Sequence, residues 1–153
     1  AICGLSAYLE LNGIGYTSMI KKELAVGEEE RKKRIEIALK ALARLIGNID
    51  FGAKKTRFMP AWEVVSAVAA VSSPVPFQVS SPTSNGYIDS TVERASRMIE
   101  ALALGSSPIK EKVAIYSCPE EPSTKPEGVQ VKAAKTFEEL MATLIKDVVE
   151  SGL

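Results

Sequence analysis

Residues 51–62 bring three positive charges together in one short stretch. Lys54, Lys55 and Arg57 lie within it, and the stretch contains no acidic residue. Gly52 would allow the main chain to adopt a positive φ angle or to come close to a ligand. Lysine and arginine neutralise phosphates, so this pattern indicates a loop that binds an anionic backbone. A solvated basic surface loop is the simpler alternative.

The other residues of this stretch allow a structural and a functional interpretation. Thr56 could donate its hydroxyl to a phosphate or cap a turn, and Gly52 could serve only a turn. Phe58 and Trp62 could stack on bases, but they are better interpreted as core residues that anchor the loop.

Catalytic chemistry has little support in the composition. The chain has no histidine, which excludes nucleophilic systems that use an imidazole base and removes imidazole as a metal ligand. Residues 28–30 are glutamates, and each precedes a base of residues 32–34 by four positions, the spacing of ion pairs on a helix surface. Cys3 and Cys118 stand alone, so we expect buried free thiols rather than a zinc site. We therefore expect no catalytic residue, no metal and no cofactor.

Size and charge point to an ordinary globular protein. The 153 residues are 46% hydrophobic and 25% charged, and 19 basic residues balance 19 acidic ones. One domain with a real core is expected, and affinity for nucleic acid would have to come from a local patch. The chain has no apolar run of membrane-spanning length and no signal-peptide pattern, so the cytoplasm is the expected location and a membrane is not an expected partner.

Periodicity predicts a mixed α and β chain around the basic loop. Residues 3–11 alternate as a half-buried strand does, and apolar residues recur at helical spacing from Glu28 to Ile46, before the Gly47-Asn48 stop signal. Later predicted elements are a buried strand or short helix at 62–72, a loop at 73–86, a helix at 87–104, a strand at 112–118, an exposed loop at 119–128, a short strand at 129–131 and a final helix after the capping box Thr136-Phe137-Glu138-Glu139.

Three stretches together resemble a known family. The alternating segment 3–11, the helix segment Arg31-Lys32-Lys33-Arg34-Ile35-Glu36-Ile37-Ala38-Leu39-Lys40-Ala41-Leu42 and the loop Gly52-Ala53-Lys54-Lys55-Thr56-Arg57-Phe58-Met59-Pro60 are similar to the C-terminal half of the archaeal DevR-family subunit that forms the crRNA-binding backbone of type I CRISPR surveillance complexes. The similarity extends to Phe137-Glu138-Glu139-Leu140, and Ala53 stands where that family often has a second glycine.

The resemblance implies an α+β fold with an RNA-recognition-like (ferredoxin-like) core, in part present at 1–72, followed by an accessory helix-strand-helix portion at 73–153. It implies a non-enzymatic protein whose copies line up along one guide RNA, with other subunits of a Cascade-type complex as further partners. The family's RNA-backbone contacts would carry over to the loop residues Gly52, Lys54, Lys55, Thr56 and Arg57. Ala53 could hold the main chain further from a phosphate.

Two other functions remain possible from the sequence. An enzyme domain could bind a nucleotide or phosphometabolite with the same loop, although the loop lacks the first glycine and the spacing of a P-loop. A structural assembly domain could instead contact an acidic partner.

The chain is also expected to be the C-terminal part of a longer protein. In a core of this type the strands at 3–11 and 62–71 would flank a central strand that is not in this sequence. Unless 77–79 or 113–117 intrude, an N-terminal companion segment or another copy would have to supply it.

Overall fold

The computed structural model describes residues 2–18, 20–21, 23–48, 62–83, 85–104 and 112–151. Its elements follow the chain as α1 (Glu28–Asn48), β1 (Ala67–Ser73), α2 (Tyr87–Ala103), β2 (Lys112–Cys118), β3 (Val129–Ala133) and α3 (Phe137–Ser151). The fold is α+β, a partial ferredoxin-like core with an extra C-terminal helix.

Contacts divide the chain into two compact units. The first, here the sheet unit, comprises Ala1–Ala7 and Val65–Leu140, and the second, the α1 unit, comprises Tyr8–Val64 and Met141–Leu153. The predicted boundary at residue 72 stays a prediction.

The sheet unit is built on a three-stranded mixed sheet in the order β1-β2-β3. β1 pairs antiparallel with β2, from Ala67 opposite Cys118 to Ser73 opposite Lys112. β2 pairs parallel with β3, from Val113 opposite Val129 to Ser117 opposite Ala133. β2 is therefore the central strand, and it is the most buried of the three.

The core of the sheet unit forms where α2 meets the sheet. Val92 and Ala95 of α2 are buried against Val113 and Ile115 of β2 and Val129 of β3. The spacing of the apolar residues along α2 places them on one face, as the sequence predicted. The 119–128 connection is mostly exposed, as predicted, and both oxygens of Asp89 on α2 accept hydrogen bonds from it, from the Ser123 N–H at 2.7 Å and the Ser123 hydroxyl at 3.0 Å.

The predicted strand at 3–11 is wrong. Residues 2–10 form no strand and are exposed, with Ile2 fully exposed and Leu5 at 54%. Alternation of apolar and polar residues becomes a strand only when a neighbour supplies hydrogen bonds, and no described segment pairs with residues 2–10.

The predicted strand at 62–72 is confirmed only in its second half. Residues 62–66 lie outside β1, and every residue of β1 is half-buried rather than buried. The reason is topological, because β1 is an edge strand with β2 on one side. The 113–117 segment, considered as an intruding strand, does pair with β1.

The helices agree closely with prediction. α1 extends two residues beyond Ile46, through the expected stop signal, and α2 ends one residue earlier than expected. At the start of α3, the Glu139 N–H donates to the Thr136 hydroxyl at 3.2 Å, which confirms the cap. The Glu139 carboxylate accepts the Lys135 N–H at 2.8 Å, one residue before the partner that a standard capping box would use.

Candidate nucleic-acid interface

The five predicted RNA-binding residues lie outside the described residues. Gly52, Lys54, Lys55, Thr56 and Arg57 fall between the described ranges that end at residue 48 and resume at residue 62. The structure therefore bears on this candidate site through the two segments that hold the loop, α1 before it and Trp62 after it.

α1 precedes the loop in the chain, and its sequence strongly favours a helix. Its first turn carries three glutamates, which favour the positive end of the helix dipole. Glu30 accepts a hydrogen bond from Arg34 at 3.0 Å and Glu36 accepts one from Lys40 at 2.5 Å. One predicted pair, Glu30 with Arg34, is thus observed, whereas Glu28 lies 3.9 Å from Arg31 instead of pairing with residue 32.

Trp62 ties the far end of the loop back to α1. Its indole Nε1–H donates to the carbonyl oxygen of Ile46 at 2.9 Å, and the side chain is half-buried. The last four carbonyls of an α-helix lack partners within the helix, and Ile46 is one of these in a helix that ends at Asn48. The bond therefore satisfies the helix end and connects Trp62 to the last turn of α1. This contact supports the interpretation of Trp62 as an anchor.

The start of α1 is held by an arginine that the sequence did not single out. Arg31 donates from Nε to the Ile14 carbonyl at 3.0 Å, and its guanidinium lies 5.8 Å from the ring centre of Tyr16. Gly15 has a φ of 89°, and a Cβ there would lie 3.0 Å from a Val26 methyl and 3.2 Å from Arg31 Cγ. A glycine is required at this position both for its conformation and for the close approach.

The contacts of Arg31 with Ile14 and Tyr16, here called the Arg31 clamp, support a short turn that carries an exposed lysine. Tyr16 and Leu24 form an isolated antiparallel bridge, and the Lys21 N–H donates to the Ser18 hydroxyl at 2.9 Å. Lys21 is exposed, so its charge is available to an anion.

The two cysteines differ in their surroundings, although the sequence predicted both as buried free thiols. Cys118 is buried and free, whereas Cys3 is free but exposed, because it belongs to the unpaired segment at 2–10. Burial raises the pKa of the Cys118 thiol, while a hydrogen bond with the Ala67 backbone acts in the opposite direction and the charge of Glu138 adds to the rise. A raised pKa keeps this thiol protonated at neutral pH, so it is a poor nucleophile.

A half-buried tyrosine likewise stays neutral. Burial raises the pKa of Tyr87, although its hydroxyl lies 2.6 Å from the Ser66 hydroxyl and this hydrogen bond lowers the pKa. Nearby Cys118 and Glu120 add to the rise. Tyr87 therefore remains protonated at neutral pH.

Neither a metal site nor a membrane-spanning helix is found in the described residues. Among them, no group of three or more histidine, cysteine, aspartate or glutamate side chains is placed to hold a metal ion. In the same part of the chain, no helix has both the length and the apolar character needed to cross a lipid bilayer.

Comparison with known proteins finds one family. The family model described as CRISPR-associated negative auto-regulator DevR/Csa2 matches residues 1–92, which is more than half of the chain. The match includes residues 49–61, α1 and Trp62, and it ends within α2, before the 137–140 stretch in which the sequence resemblance continued. No curated protein matches the chain.

Proposed function

Because this chain belongs to the CRISPR-associated DevR/Csa2 family, we propose that it binds the phosphate backbone of a CRISPR guide RNA. In this proposal it acts as a repeated, non-enzymatic backbone subunit of a type I interference complex. The guide RNA, further copies of the chain and other subunits of the complex are its partners.

The observation that carries the proposal is the hydrogen bond from Trp62 to the Ile46 carbonyl. A loop whose flanking residues are joined loses less conformational freedom on binding than one held at a single end. In this anchor the indole N–H of Trp62 donates to the helix end, and the ring is half-buried. Phosphate binding is therefore assigned to the basic residues of the loop.

The chemistry of the loop fits a phosphate backbone better than a base sequence. Lys54, Lys55 and Arg57 would neutralise phosphates, and the Thr56 hydroxyl and main-chain amides near Gly52 would donate hydrogen bonds to phosphate oxygens. Such contacts position an RNA without reading its sequence. That property suits a subunit that must accept any guide.

A titration with competing ligands separates this proposal from its two rivals. Fluorescently labelled single-stranded RNA should bind to the chain, and a scrambled oligonucleotide of the same length should bind equally well. Excess ATP should compete poorly, and a neutral protein surface should not bind. Preference for ATP would favour a nucleotide enzyme, and binding to an acidic protein without RNA affinity would favour an assembly domain.

We also expect no nuclease activity from this chain. Metal-dependent RNA cleavage needs carboxylates or imidazoles that hold metal ions, and the sequence has no histidine and no evident carboxylate cluster. Incubation of purified protein with labelled RNA in Mg²⁺ or Mn²⁺ should leave the RNA intact. Cleavage that disappears on mutation of a single acidic residue would contradict this expectation.

A further inference from the structure

A second cationic position lies in the sheet unit, on the exposed side of α2. Arg94 places its guanidinium 5.8 Å from the ring centre of Phe77, and its NH1 group donates to the Ser80 hydroxyl at 3.2 Å. The Ser80 hydroxyl lies 3.1 Å from that of Ser90, one helical turn before Arg94. The ring and the hydroxyl hold the guanidinium in a defined place although the side chain is exposed.

The acidic residues of α2 near Arg94 form no ion pair with it within the described residues. Both carboxylate oxygens of Asp89 accept hydrogen bonds from Ser123, and Glu93 lines a shallow groove with Arg97 and residues of the 119–128 connection. No ion pair joins Arg94 to a carboxylate within the described ranges. Among the described residues, the charge of Arg94 is therefore not neutralised by a carboxylate.

Most of the hydrogen-bonding capacity of Arg94 is also available. A guanidinium carries five N–H donors, and one of them is used by Ser80. The remaining donors form the planar fork that suits a phosphate. The neighbouring Ser90 hydroxyl is half-buried and can add a further donor at the same place.

The loop that holds Arg94 is itself fixed to α2. The Ser80 N–H donates to the Thr91 hydroxyl at 3.0 Å, and that hydroxyl donates to the Tyr87 carbonyl at 2.7 Å. Ser80 and Thr91 are both buried. The hydroxyl that orients Arg94 is therefore part of the core and not of a loose surface loop.

We propose that Arg94, oriented by the Ser80 hydroxyl and flanked by the Ser90 hydroxyl, is a second phosphate-binding position for single-stranded RNA, made by residues other than those of the 52–57 loop. This inference rests on the proposed function, because it takes RNA to be the ligand. It adds a contact in the sheet unit that no motif in the sequence indicated.

The test is the salt dependence of RNA binding by single-residue variants. One phosphate contact on a single strand contributes about 0.7 to the slope of log K against log salt. R94A should therefore flatten the slope by about 0.7, which is about fivefold in affinity per tenfold change in salt. R94K should restore the native slope, since it keeps the charge, and S90A should weaken binding with the slope unchanged.

R97A is the matched control, because it removes the same charge from the same helix at a position without the two hydroxyls. Its slope should equal that of the native chain. Equal flattening by R94A and R97A, or an R94A slope equal to the native one, would overturn the inference while leaving the proposed function intact. Absence of RNA binding by the native chain would instead overturn the proposed function, and this inference with it.

Discussion

At the scale of single residues, Trp62 shows how one hydrogen bond links the two described segments that flank residues 49–61. From the sequence the ring could have been a platform for bases or a core anchor. The structure places its N–H on the Ile46 carbonyl, at 2.9 Å, and half-buries the ring. The cations of the 52–57 loop could be identified from their adjacency in the sequence, whereas the partner of Trp62 depends on a contact 16 residues away.

Replacement of Trp62 by phenylalanine isolates the hydrogen bond from most of the ring packing. W62F should lower the free energy of unfolding by about 1 kcal/mol, because it leaves the Ile46 carbonyl at the helix end without its donor. Urea denaturation followed by circular dichroism measures this change. Y8F is the control, since Tyr8 is an exposed aromatic side chain. If W62F were as stable as Y8F, the hydrogen bond from Trp62 to Ile46 would contribute nothing to the free energy of unfolding.

Residue type predicted burial correctly for one cysteine and wrongly for the other. Cys118 lies on the central strand and is buried, but Cys3 lies in the unpaired segment at 2–10 and is exposed. The hydrophobic tendency of a thiol is realised only if the element that carries it is packed.

At the scale of elements, the helices were predictable and the first strand was not. The hydrogen bonds of α1, α2 and α3 are local, so spacing and caps in the sequence were enough to place them. Residues 3–11 have the periodicity of a strand but no partner within the described chain. The order β1-β2-β3 also depends on pairing between distant segments, which periodicity does not encode.

The cap of α3 provides a test at this scale. The Thr136 hydroxyl accepts the Glu139 N–H, and the Leu140 N–H donates to the Thr136 carbonyl at 3.0 Å. T136A should therefore destabilise the chain by about 1 kcal/mol in urea denaturation. T124A, in the exposed 119–128 connection, should change stability by less than about 0.5 kcal/mol. Equal effects of the two substitutions would show that the cap has no energetic role.

At the scale of the whole molecule, two segments lack a strand partner among the described residues, namely one edge of β1 and residues 2–10. One edge of β1 has no strand partner among the described residues, and β1 contains neither charge nor proline, the devices that usually protect an edge. Residues 2–10 have a strand-like pattern and expose Leu5 and Tyr8. Both features favour pairing with another strand.

We therefore expect the isolated 153-residue chain to self-associate at micromolar concentration. Size-exclusion chromatography with light scattering measures this directly. The double variant L5K/L9K should shift the population toward monomer, because it puts charge on the exposed segment. L104K, which changes an exposed leucine elsewhere, should not. A sharply melting native monomer would show that the fold closes without a further strand.

The sequence predicted the family correctly, and the RNA-binding role of the 52–57 loop stays a prediction. The loop was recognisable because its cations are adjacent in the chain and lack nearby acids. The Arg31 clamp and the Arg94 cluster were not recognisable, because each joins residues that are 14 or more positions apart.

The central claim is that the 52–57 loop binds RNA through phosphate contacts, and the salt dependence of binding tests it most directly. The triple variant K54A/K55A/R57A should flatten the slope of log K against log salt by about 2, at about 0.7 for each phosphate. The triple variant K112A/K135A/K146A removes the same charge from exposed positions elsewhere and should keep the native slope. An unchanged slope in the loop variant, or the same change in both variants, would contradict the account.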